Sequence, residues 1–137
     1  ILQIYGFHLT QILDENKLQI WQYKNNLHLF PARFIEQFSN LPIQSLGLPF
    51  CELQSDEFIL SHEFVTRFGR LAVSNQFSLD EEQLWTWMRG EDLVVTKLPG
   101  NRYPVWIIKD FLQRTIGVGK YSTQRLRNMM PKRILIN

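Results

Sequence analysis

The sequence predicts an α+β domain, and three observations point there. Apolar and polar residues alternate on both sides of a short Asn-bearing turn near the start, as an antiparallel hairpin requires. Two short apolar segments with helical spacing are preceded by Ser and followed by Gly, at Ser61…Gly69 and Ser78…Gly90, the order in which helices are capped and ended. The last third then reads as strands separated by polar turns, with Gly117 and Gly119 inside one of them.

Taken in order, residues 1–13 alternate weakly and predict a lead-in or edge segment. Leu18, Ile20, Leu27 and Leu29 then place one apolar face on a hairpin that turns at Lys24-Asn25-Asn26. Pro31 fits the first turn of a short helix over Ala32–Phe38, and Leu41–Leu53, broken by Pro42, Gly47 and Pro49, predicts an irregular strand. Gln54-Ser55-Asp56-Glu57 is the expected boundary, dividing the chain into residues 1–54 and 55–137. Ser61 caps a helix from His62 to Arg67. Ser78 and Glu81 have capping-box spacing and start the best-written helix, with Leu84, Trp85, Trp87 and Met88 expected on its buried face. Asp92–Lys97 predicts a strand and Pro99-Gly100-Asn101 a turn. Val105–Ile108 is expected to be buried on both sides and to pair with Thr115–Lys120 around Gln113-Arg114. Pro131 stops any helix before a final strand, Ile134–Ile136.

Length and composition bound the function. The 137 residues suit one domain or two very small ones. No apolar run reaches the roughly 20 residues that a membrane span needs, so no membrane partner is expected. One cysteine among 137 residues excludes an internal disulfide framework and fits a reducing, cytoplasmic compartment. The chain opens on Ile1 without an initiator methionine and is expected to be a piece of something longer. Charge is uneven: residues 1–110 carry nine Lys/Arg against thirteen Asp/Glu, net −4, whereas 111–137 carry six Lys/Arg and no acid, net +6. An acidic body with a basic end suits a polyanion-binding edge.

Catalytic signals are missing. Cys51 lies in an apolar segment and reads as a buried, inert thiol. His8, His28 and His62 are scattered without a second ligand at metal spacing, so no metal is expected. The stretch from Thr115 to Arg133 fits neither nucleotide motif. A P-loop would need Gly where Arg114 stands and Ser or Thr where Tyr121 stands, and a dinucleotide fingerprint would need Gly at Ser122. What remains is a glycine-bearing strand, Gly117 and Gly119, leading into an acid-free basic loop with Lys120, Arg125, Arg127, Lys132 and Arg133. That is a phosphate-facing surface or, equally, two packing glycines beside a solvated basic face. Arg125 and Arg127 flank Leu126, so a shared direction is not assured, and each cation has an ion pair to the acidic body as its alternative use.

Several segments resemble the C-terminal part of bacterial rRNA 5-methylcytosine methyltransferases of the RsmF (YebU) type, in the Sun-related class. They are Leu18-Gln-Ile-Trp-Gln-Tyr-Lys24, Leu27-His-Leu-Phe-Pro31, Ser45-Leu-Gly-Leu48, Trp87-Met-Arg-Gly-Glu-Asp92, Ile116-Gly-Val-Gly-Lys120, Arg125-Leu-Arg-Asn128 and Pro131-Lys132. The likeness runs from about Glu15 to Lys132 and departs at Tyr121-Ser122-Thr123, where the family often has a further basic residue and glycines. It implies a small α+β pre-PUA module over 1–54 and a PUA-like mixed β pseudo-barrel with short helices over 55–137. It also implies RNA contact by Gly117, Gly119, Lys120, Arg125, Arg127, Asn128, Lys132 and Arg133. The expected partners are structured rRNA and the methyltransferase domain of the same polypeptide. No cofactor is expected for this chain, which has neither the Pro-Cys nor the Thr-Cys dipeptide of the family's catalytic domain. S-adenosylmethionine is implied for that domain. The rival expectation is a protein-docking module without RNA contact.

Overall fold

The computed structural model describes residues 2–31, 47–99 and 103–136. It is α+β, as the alternation and capping signals predict. Two helices open it, α1 (Leu2–Tyr5) and α2 (Leu9–Asn16), where a lead-in or an edge segment is expected. Ile12 is the buried residue of α2, with Leu9 and Leu13 packed against the core on the same side. That helical spacing outweighs the weak period of two. Lys17 ends α2 in a left-handed conformation, φ 53°.

Four antiparallel strands follow in sequential order: β1 (Leu18–Tyr23), β2 (Asn26–Pro31), β3 (Leu48–Leu53) and β4 (Phe58–Leu60). The predicted hairpin is there, with Ile20 opposite Leu29 and Trp21 opposite His28. The helix expected over Ala32–Phe38 and the turn residues Gly100-Asn101 lie outside the described residues, as does the start of the segment expected over Leu41–Leu53; from Leu48 that segment is β3. The boundary expected at 54/55 falls in the β3–β4 turn, across which Cys51 pairs with Leu60 and Leu53 with Phe58.

Ser61 caps α3 (His62–Phe68) by accepting a 2.9 Å hydrogen bond from the Phe64 N–H. Gly69 then leads into a short 3-10 turn, Gly69–Leu71. The second sheet holds β5 (Gln76–Ser78), β6 (Leu93–Val94), β7 (Val105–Lys109), β8 (Thr115–Ser122) and β9 (Arg125–Asn128) in the order β5-β7-β8-β9-β6. The structure includes a sheet curled into a half-barrel. Only β5–β7 is parallel.

Several local expectations are corrected. The helix α4 (Glu81–Met88) is capped by Asp80, which accepts from the Gln83 N–H while the Gln83 side chain accepts from the Asp80 N–H. Ser78 is consumed by β5, because its segment pairs with β7. Gly90 follows α4 at φ 88°, a conformation open to glycine at little cost. Trp87 is fully buried with Leu84 and Met88 against the same cluster, but Trp85 is 55% exposed. At about 100° per residue, position 85 turns away from the side shared by 84, 87 and 88. The strand expected over Asp92–Lys97 shrinks to Leu93–Val94, and the expected basic loop is instead β9. Ile134–Ile136 is not a strand: Lys132–Ile134 forms a 3-10 turn and the Ile136 N–H donates to the Met88 carbonyl.

Val105–Ile108 is buried throughout, as predicted, and Lys109 is buried with it. Its turn to β8 is organised by Asp110, whose Oδ1 accepts from the Leu112 and Arg114 N–H groups at 2.9 Å and whose Oδ2 accepts from Arg114 Nε at 2.6 Å. Burial alone would raise that carboxyl, but these bonds outweigh it and hold it below its usual range. One apolar cluster draws Leu29, Phe50 and Leu60 from the first sheet and Val105, Ile107 and Val118 from the second. The Tyr5 hydroxyl donates to the Val105 carbonyl at 2.8 Å within it. No helix among the described residues is long and apolar enough to cross a membrane.

Candidate nucleic-acid interface

The β8–β9 hairpin has two chemically opposite faces. Lys120 lies opposite Arg127 and Ser122 opposite Arg125, so strand alternation puts all four on one face. Flanking Leu126 therefore makes Arg125 and Arg127 point the same way, while Leu126 itself goes fully into the core. The inward face carries Gly119, whose missing Cβ would sit 2.9 Å from both Leu126 Cδ1 and Trp87 Cη2. Any side chain there would have to displace Leu126 or the Trp87 ring of α4. The Tyr121 hydroxyl closes the same side by donating to the Val95 carbonyl at 2.7 Å.

The outward face lines an open groove of about 800 Å³ together with Asp92, Val94, Thr123 and Gln124. The strands are joined by Thr123 and Gln124, both with positive φ (53° and 61°). This is a two-residue turn of the kind usually built from Asn and Gly, so its composition carries none of the usual hairpin signal.

The three cations of the groove are not equivalent. Lys120 Nζ forms an ion pair with Glu57 of the β3–β4 turn, and both are largely covered. Arg125 Nε stands 3.7 Å from Asp92 Oδ2 and is well exposed. Arg127 is exposed and has no carboxylate partner among the described residues. Exposed pairs of this kind contribute little, about 0–1 kcal/mol, whereas a phosphate offers Arg a bidentate, charge-assisted contact. Arg127 and then Arg125 are the groups readiest to meet an anion, with Lys120 held in reserve by Glu57. None of these acids neighbours its cation in sequence, so the pairing was not legible there.

The other expected contact residues lie elsewhere. Gly117 is buried beneath Met130 and His62. Asn128 points inward, its Nδ2 donating to the Trp87 and Glu91 carbonyls and its Oδ1 accepting from the Met130 N–H. Arg133 forms an ion pair with Glu63 of α3 and lines a second cavity of about 300 Å³ with His28, Cys51, Glu52 and His62. Lys132 is exposed on the 3-10 turn. The eight residues thus split into a groove set, a seam set and an inward-facing set.

Burial pushes the Cys51 thiol up to about 11, which leaves no useful thiolate near neutral pH. Among the described residues no three His, Cys, Asp or Glu side chains gather as a metal site.

No family model matches the chain. It is similar to proteins called ribosomal RNA small subunit methyltransferase F. That of Pectobacterium atrosepticum is 26% identical over 119 residues, covering 87% of this chain and 24% of the relative. Those of Erwinia tasmaniensis and Escherichia coli are 25% and 26% identical over 122 residues, covering 88% and 89% of this chain and 25% of each relative. The chain thus spans about a quarter of the length of the curated relatives it matches.

Proposed function

We propose that this chain is the RNA-binding region of an rRNA cytosine methyltransferase and positions structured rRNA for a catalytic domain elsewhere in the same polypeptide. The observation that carries the reading is Arg127. It is an exposed guanidinium beside Lys120 and Arg125 on one face of a hairpin whose other face is locked to α4. A rigid ribbon presenting cations at fixed spacing suits a phosphate backbone, which positions RNA without reading its sequence. Residues 1–54 and 55–137 act in this reading as a pre-PUA and a PUA-like module sharing one core. S-adenosylmethionine belongs to the catalytic domain, and the compartment is the cytoplasm. Titrating a structured rRNA fragment at several salt concentrations tests this. Arg127→Ala should weaken binding and flatten the log-affinity against log-salt slope by roughly 0.7–0.9, as for one lost phosphate contact. Arg125→Ala should follow, and Lys120→Ala should do least. Unchanged slopes for all three variants would remove the groove from the RNA site.

A second reading, docking on another protein domain, draws on Phe111 and Leu112, which are 46% and 61% exposed at the β7–β8 turn. Replacing both with Ser should then abolish domain association and leave RNA affinity unchanged.

A further inference from the structure

The β1–β2 hairpin carries a second surface of different chemistry. Register places Gln19, Trp21 and Tyr23 of β1 opposite Phe30, His28 and Asn26 of β2. By strand alternation these six share the face opposite to Ile20 and Leu29. On the hairpin itself these are aromatic, imidazole and amide side chains, with His28 buried; on β3 the face continues with Pro49 beside His28 and Glu52 beside Asn26. Trp21 and Tyr23 belong to neither apolar cluster and are only half-buried. Their rings are nearly parallel, 11° apart in plane with centroids 6.3 Å apart, and the His28 ring stands 5.4 Å from Trp21. Lys24, at the turn, places its ammonium 5.4 Å from the centre of the Tyr23 ring.

We propose that Trp21 and Tyr23 form a stacking platform for unpaired RNA bases, with Lys24 supplying charge to the adjoining backbone. The inference rests on the reading that the chain binds RNA, but it uses a different sheet and a different force. Every base has a π face, and an aromatic ring accepts it without regard to sequence. A cation held over one of the rings brings the phosphate charge and the ring to the same place. The amides of Gln19 and Asn26 flank the rings with donors and acceptors suited to exposed base edges. The target is therefore RNA in which a helix adjoins a loop or bulge: paired backbone for the groove and an unstacked base for the hairpin.

The test compares two probes on the 137-residue chain, a stem with an unpaired pyrimidine loop and a fully paired duplex of equal length. Trp21→Leu and Tyr23→Leu keep apolar bulk and remove the stacking face. Each should lower affinity for the looped RNA about 5- to 100-fold, leave the duplex untouched and leave the salt slope as it is. Trp21→Phe should restore most of the loss. If both Leu variants bind looped RNA like the parent while Arg127→Ala does not, the platform is refuted and the groove stands. If the Leu variants weaken both probes equally, stacking is also refuted. A loss on looped RNA alone, with Arg127→Ala silent, would keep the platform and remove the groove. Failure of the parent chain to bind either probe would overturn both.

Discussion

The hairpins β1–β2 and β8–β9 are built alike and secured differently. Each is antiparallel, each has a non-glycine residue with positive φ in its turn (Lys24 in one, Thr123 and Gln124 in the other), and each has one face toward the core. The inner face of β8–β9 is closed by Leu126 at 0% exposure, by Gly119 against Trp87, and by the Tyr121 hydroxyl. On β1–β2 only Leu29 is sealed to that degree, and Ile20 remains 41% exposed on an edge strand. The difference separates a ribbon sealed along its inner face from an edge hairpin that is sealed at one point.

Removing the inner support should break the contrast most visibly. Trp87→Ala should cost about 3–5 kcal/mol, against about 1 kcal/mol for Trp21→Ala on the looser hairpin; urea denaturation of both variants measures this. Equal losses would mean that β8–β9 is no better anchored. Gly119→Ala comes next, at about 1–3 kcal/mol, because its methyl group must displace Leu126 or α4. The cap should follow: Asp80→Ala costs about 1 kcal/mol, whereas Ser78→Ala and Trp85→Ala should each stay within about 0.5 kcal/mol. A larger loss for Ser78→Ala than for Asp80→Ala would return the cap to Ser78.

The smallest effect is one of pH. Burial lowers the pKa of His28, on the first hairpin, and of His62, which packs beside Gly117 of β8. With the folded value below the unfolded 6.5, the unfolded chain takes up the proton first as pH falls. Stability should therefore decline from about pH 6.5 downward. Asp110 acts in the same direction at lower pH: its stabilisation is present above the unfolded 3.8 and is lost as pH falls through the depressed folded value. Melting temperatures between pH 7.5 and 5 should show the decline, and His62→Gln should reduce it. A flat profile would mean that neither imidazole is shielded by the fold.

What was legible in the sequence was local. The first hairpin was readable because alternation and the Lys24-Asn25 turn agree, and the α3 cap because Ser61 has no competing use. The α4 cap was misplaced because Ser78/Glu81 and Asp80/Gln83 offer the same spacing two residues apart, and only the pairing of β5 with β7 decides between them. Ile134–Ile136 has strand composition, yet pairs with no strand among the described residues. The cations were visible, but Glu57, Asp92 and Glu63, which partner three of them, lie 33 to 70 positions away.

The hydrogen bond from Tyr5 to Val105 spans 100 positions. During synthesis α1 is made about 100 residues before β7, and until β7 arrives the Tyr5 hydroxyl lacks that acceptor. Such long-range closure slows folding and leaves Tyr5, Phe7 and Phe64 uncovered while synthesis continues. Carboxyl-terminal truncations that end before Val105 should accordingly be cut by protease around Tyr5 and Phe7, and those that retain β7 and β8 should resist.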